Sequence, residues 1–172
     1  SEFIDQLMVN LAKREGWKFA VASFENPPPL HIAKLSEKYI GKPFFEGMTE
    51  RMSGDEKTEA LSWVSDHFLF LEQRGGESAT IDSILDRAKQ AVMRLGVRGL
   101  VIDPYNYIQQ SSEVSNEHQG INEMLTRLVT FARAHDVHIW FIAHPAKMIT
   151  NQDGSTPVPK GMNISGSAAF FA

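Results

Sequence analysis

Three side chains able to do acid–base or metal chemistry stand just past apolar runs, each with proline close behind: Glu25 before Pro27, Asp103 before Pro104 and His144 before Pro145. Leu100-Val101-Ile102, the run before Asp103, has no polar alternation, which is the pattern of a strand buried on both faces in a parallel sheet covered by helices. Such a strand delivers Asp103 to the C-terminal edge, where open α/β sheets bind ligands, and Pro104 is expected to stop the ladder there. The run has the form of a Walker B element, in which a carboxylate holds Mg²⁺, directly or through water, against nucleotide phosphates. If the strands are parallel, all three tips share one edge. A glutamate there can orient and deprotonate a water, and a histidine can hydrogen-bond a phosphate oxygen. The plainer alternatives are an acid that caps a loop and a histidine packed beneath the following segment.

The elements that must carry these tips follow from periodicity. Strands are predicted near 18–23, 67–72, 99–103 and 138–143. Phe3, Ile4, Leu7, Met8, Leu11 and Ala12 form one helical stripe over 2–15, with Ser1 as its cap, Glu2 and Asp5 in the dipole-favoured first turn, and Gly16 at its end. Pro27 to Pro29 terminate the first strand, and a helix follows over 30–39, closed by Gly41-Lys42-Pro43. Phe44 and Phe45 read as buried aromatics in a loop. Ser53 to Glu56 resembles a capping box opening a third helix through Val64. Thr80 and Asp82 introduce a helix to Leu95, and the apolar positions from Ile121 to Ala132 mark another. Tyr105 to His118 reads as an exposed polar loop, and 146–172 shows no strong period. Strands alternating with helices imply a parallel α/β sheet with right-handed crossovers.

A chain of 172 residues suits one sizeable core, so a single domain is expected over 1–172. The absence of cysteine excludes a disulfide framework and thiolate metal sites, and no His-x-x-x-His pair occurs, so zinc is disfavoured. No apolar run approaches membrane-spanning length, and no membrane partner is expected. Ser1-Glu2-Phe3 leads into an amphipathic pattern unlike a signal peptide, which points to the cytoplasm, a nucleoid or an organelle matrix. The net charge of −4 argues against a broad basic face on duplex DNA. A nucleic-acid contact would be local, one loop per subunit repeated by oligomerisation.

Ser23-Phe24-Glu25, Ile102-Asp103 and Ala143-His144, followed by Ile164-Ser165-Gly166-Ser167-Ala168, resemble the ATPase core of DnaB-type replicative helicases. Among these RecA-like ring ATPases the order is most similar to the Twinkle-like and phage primase-helicases, and the resemblance covers nearly the whole chain. It implies a RecA-like P-loop three-layer sandwich with a mostly parallel sheet. It implies ATP and Mg²⁺ as cofactors, Glu25 as catalytic glutamate, Asp103 as Walker B aspartate and His144 as sensor of the γ-phosphate. It further implies single-stranded DNA as partner of a homo-oligomer, a hexameric ring, with loops 105–119 and 147–167 at the DNA. Lys147 and Lys160 are the cationic candidates in the second loop, Asn163 and Gly166 the backbone N–H donors to phosphate. The alternative for these lysines is a solvated loop.

One family motif is missing: no G-x-x-x-x-G-K-[ST] occurs, the loop that cradles phosphates on backbone N–H groups and a lysine. Because Ser1 caps a helix where that loop would end in Lys-Ser, the resemblance implies a fragment cut just before Ser1. Ser1 would then be the Mg²⁺-binding hydroxyl, unless it is a foreign residue left by the cut. The first strand, most of Walker A, the arginine finger and the C-terminal portion would lie outside the fragment, leaving a gap or an exposed sheet centre where that strand belongs. The expected activity is a DNA helicase motor driven by ATP hydrolysis, with the fragment alone inactive. The rivals are a RecA-like recombinase or clock-type ATPase, and a non-catalytic ring or adaptor module.

Overall fold

In the computed structural model the described residues are 1–71, 79–108, 117–145, 154–158 and 160–164. Along the chain run α1 (Glu2–Glu15), β1 (Phe19–Ser23), α2 (Pro28–Ile40), α3 (Gly54–His67), β2 (Phe68–Phe70), α4 (Ile81–Leu95), β3 (Gly99–Asp103), α5 (Glu117–His135) and β4 (His138–Phe141). Short 3₁₀ turns occupy Tyr105–Tyr107 and Gly161–Asn163. The four strands form one sheet in the order β2-β1-β3-β4, and every pair is parallel. This is the α/β architecture expected, with helices on both sides of the sheet.

Alternation along the strands sorts the core into two layers. Ala20, Ala22, Leu100 and Ile102 pack with Ile84, Ala88, Ala91, Met124, Leu128 and Phe131 of α4 and α5. Phe19, Val21, Val101 and Phe68 face Met8, Val9 and Ala12 of α1, Leu35 of α2 and Val64 of α3. Leu100 and Ile102 are fully buried, each contributing about 1.5–3 kcal/mol by leaving water. Gly99 at the start of β3 has a steric reason: a Cβ there would lie 2.4 Å from the Phe19 ring and 2.9 Å from that of Trp140. Those rings pack over the sheet with centroids 5.8 Å apart.

Helix ends follow local chemistry. Ser53 and Glu56 form the expected capping box, the Glu56 N–H donating to Ser53 Oγ and the Ser53 N–H to the Glu56 carboxylate. Thr80 caps α4 with Ser83 as reciprocal partner. Gly16 and Gly41 close α1 and α2 at φ of 64° and 83°, a conformation that costs glycine little. Outside, Lys38 and Lys34 of α2 bind Glu2 of α1 and hold its carboxyl down at about 2.

Several expectations need correction. Pro28 and Pro29 do more than end β1: they form the first turn of α2, where a missing N–H and a fixed φ suit a helix start. His67 belongs to α3 and not to the following strand, because its Nδ1 lies 2.8 Å from the Trp63 carbonyl and its ring stacks on Trp63. Phe45 is exposed, because Phe44 and Phe45 meet edge to face above the surface with Lys57 over the Phe44 ring. Tyr105 and Ile108 are buried, so the segment after Asp103 opens as a packed turn and not an exposed loop; residues 109–116 lie outside the described ones. Ser1 occupies the cap position of α1 without a side-chain cap bond. β3 and β4 pair directly from Gly99↔His138 to Ile102↔Phe141. The backbone groups on that side of β3 require partners, and β4 supplies them.

Candidate active site

The register carries the three tips to one edge. Ser23 is the ladder partner of Asp103, and the Phe24 N–H donates to the Asp103 carbonyl at 2.9 Å, so Glu25 emerges beside Asp103. On the other side the Ile142 N–H donates to the Ile102 carbonyl and the Tyr105 N–H to the Ile142 carbonyl, both at 2.9 Å. The strand ladder ends at Asp103, as Pro104 led one to expect, and the Tyr105 bond aligns the segment leading to His144 with the turn after Asp103. Ligand atoms of Glu25, Asp103 and His144 all lie within 4.8 Å of one another. His144 Nε2 stands 3.0 Å from Glu25 Oε1.

Exposure separates the roles these groups can take. The Asp103 side chain is 7% exposed, whereas those of Glu25 and His144 are 44% and 50% exposed. A carboxylate so far from water needs a positive partner, such as a bound cation, and the backbone nitrogen of Ser1 contacts Asp103 Oδ2. Two carboxylates and an imidazole around one point make an oxygen-rich donor set that suits a hard divalent cation. Glu25 and His144, open to water, are placed to handle a proton or a phosphate oxygen.

Three of the sequence-predicted residues thus meet, Glu25, Asp103 and His144, and the fourth, Ser1, touches Asp103 through its backbone nitrogen. Of the proposed DNA contacts, Lys160 and Asn163 lie among the described residues. Lys160 is exposed at the head of the turn Gly161–Asn163. The Asn163 N–H is engaged by the Lys160 carbonyl at 2.8 Å, so it is not free to bind phosphate as expected. Lys147 and Gly166 lie outside the described residues. Ile164 bridges antiparallel to Pro145 and brings this segment back to the end of β4.

Sequence reading missed two features. Asp5, expected to serve the dipole of α1, is instead buried against His31 of α2, with Oδ1 2.9 Å from Nε2. The signal was available, since Asp5 lies on the stripe of Met8, Val9 and Ala12 at intervals of three, four and seven. The pair joins the helix that starts at Ser1 to the helix that follows Glu25. The second is the turn Tyr105–Tyr107, whose composition hid its contacts.

The fold is one shared with solved ATPase domains, among them that of a DnaB-like helicase. A solved structure described as an ATPase domain matches with a TM-score of 0.72, over 99% of this chain and 61% of that one at 15% identity. A DnaB-like replicative helicase, described with its interactions with primase, matches with a TM-score of 0.69, over 98% of this chain and 42% of that one, also at 15% identity. A family model described as an AAA domain matches residues 10–148, and the chain belongs to that family. It is 43% identical over 176 residues to the Twinkle homolog protein, chloroplastic/mitochondrial, of Arabidopsis thaliana, covering 99% of this chain and 24% of that protein. The chain thus spans about a quarter of the length of that curated relative. The DnaB-type resemblance drawn from three strand tips is borne out. Among the described residues no helix is long and apolar enough to cross a membrane.

Proposed function

We propose that this chain is the ATP-hydrolysing motor core of a replicative DNA helicase that moves on single-stranded DNA. The observation that carries the reading is the convergence of Glu25, Asp103 and His144 at one sheet edge, with ligand atoms within 4.8 Å. The similarity to a Twinkle homolog and the DnaB-like fold support it. Bound Mg²⁺-ATP supplies the phosphoryl bond to be broken. Asp103, which is buried, would hold the metal, with Ser1 beside it. Glu25 orients an attacking water and takes its proton, and His144 donates to the terminal phosphate. The phosphate cradle, a glycine-rich loop with its lysine, would come from outside these 172 residues.

The same reading places single-stranded DNA at Lys160, Lys147 and Gly166, and assembles copies of the protein into a hexameric ring. Its compartment is the cytoplasm of a bacterial or phage-infected cell, or an organelle matrix. The test is ATP hydrolysis by the longer protein that carries this chain, with and without single-stranded DNA, and unwinding of a forked duplex. Mg²⁺-dependent hydrolysis stimulated by single strands, together with unwinding, is expected. Ring assembly without hydrolysis would make it an adaptor instead, and hydrolysis with strand exchange but no unwinding would make it a recombinase.

A further inference from the structure

The turn Tyr105–Tyr107 follows Asp103 directly, and each of its residues reaches a neighbouring strand tip. Tyr105 is buried, its N–H bonded to the Ile142 carbonyl at 2.9 Å and its ring stacked on Phe141 at 5.1 Å. Asn106 Oδ1 accepts from the His144 backbone N–H at 3.4 Å. Tyr107 turns the other way and stacks on Phe24, centroids 6.1 Å apart and planes 17° from parallel. Phe24 adjoins Glu25, so the turn grips one tip on each side of Asp103. Tyr107 is 59% exposed. Burial of its ring therefore does not explain an aromatic there, whereas the flat contact with Phe24 does.

We infer that Asn106 and Tyr107 are positioning residues that hold His144 and Glu25 in register with Asp103 for hydrolysis. The inference rests on the roles proposed above for Glu25 and His144. The turn itself touches no reacting atom: Tyr107 acts through Phe24 on the Glu25 backbone, and Asn106 acts on the His144 backbone. Since an active-site misplacement of about 1 Å can cost up to about 100-fold in rate, loosening either grip should lower turnover while leaving nucleotide affinity intact.

The test is steady-state ATP hydrolysis by the longer protein in parent form and as Tyr107→Ala, Tyr107→Phe, Asn106→Ala and Glu25→Gln, with thermal unfolding of each. Tyr107→Ala and Asn106→Ala should each lower kcat roughly 10-fold with KM for ATP within about 2-fold. Their Tm should stay within about 2 °C of the parent, because both positions are exposed. Tyr107→Phe, which retains the stack, should restore parent turnover. Parent-like kcat in both alanine variants, with Glu25→Gln inactive, would overturn the positioning role and leave the functional reading standing. Loss in Tyr107→Phe equal to that in Tyr107→Ala would assign the effect to the hydroxyl and overturn the stacking argument. A parent without ATPase activity, or Glu25→Gln as active as the parent, would remove the functional reading, and the positioning role with it.

Discussion

β3 and β4 lie side by side and each leads to a polar residue of the site, yet the two strands are built differently. Every residue of β3 is buried, with Leu100 and Ile102 facing α4 and α5 and Val101 facing α1 and α2. β4 is the last strand in the described sheet, His138 exposed and the other three residues half-buried. Asp103 therefore follows a strand buried on both faces, while His144 follows a half-buried strand with its own side chain half exposed. A metal ligand benefits from the first arrangement, since its position should not change with the nucleotide state. A sensor needs the second, because a side chain that reports on a phosphate has to move when the phosphate leaves.

The contrast can be broken most forcefully in the strands. Leu100→Ala should destabilise the fold by about 3 kcal/mol, the usual cost of a cavity at a fully buried leucine. Ile139→Ala, on the half-buried strand, should cost about 1 kcal/mol. Denaturant unfolding of both variants makes the comparison, and equal losses would mean that β4 is as firmly held as β3. The contrast sharpens at the tips. Asp103→Asn should weaken Mg²⁺-dependent nucleotide binding about 10-fold or more and abolish turnover in the longer protein. His144→Ala should leave binding and basal hydrolysis within a few-fold of the parent while impairing DNA-stimulated hydrolysis and unwinding more strongly. Equal stimulation by DNA in His144→Ala and the parent would return the histidine to an ordinary surface role.

What the sequence discloses about this molecule is set by how local each determinant is. The strand tips at Glu25, Asp103 and His144 were legible because apolar runs, a terminal polar residue and a proline are all contiguous. The boxes at Ser53 and Thr80 and the glycine at Gly16 were legible for the same reason. Pairing between β3 and β4 was not, because it depends on which backbone edge is free after folding. The burial of Asp5 against His31 links positions 26 residues apart, and an acid near a helix start reads first as a dipole partner. Tyr105 to Tyr107 carry polar groups that favour a loop reading. Their packing comes from Phe24, Phe141 and Ile142, which neighbouring strands bring to them.

In the proposed function Glu25 activates the water that cleaves the nucleotide. Single-turnover hydrolysis of Mg²⁺-ATP by the longer protein carrying Glu25→Gln, with nucleotide affinity measured on the same sample, addresses it most directly. The account predicts nearly unchanged affinity and hydrolysis slowed by roughly 100-fold or more, the loss expected when a general base is removed. Hydrolysis by Glu25→Gln at the parent rate, with affinity intact, would contradict it.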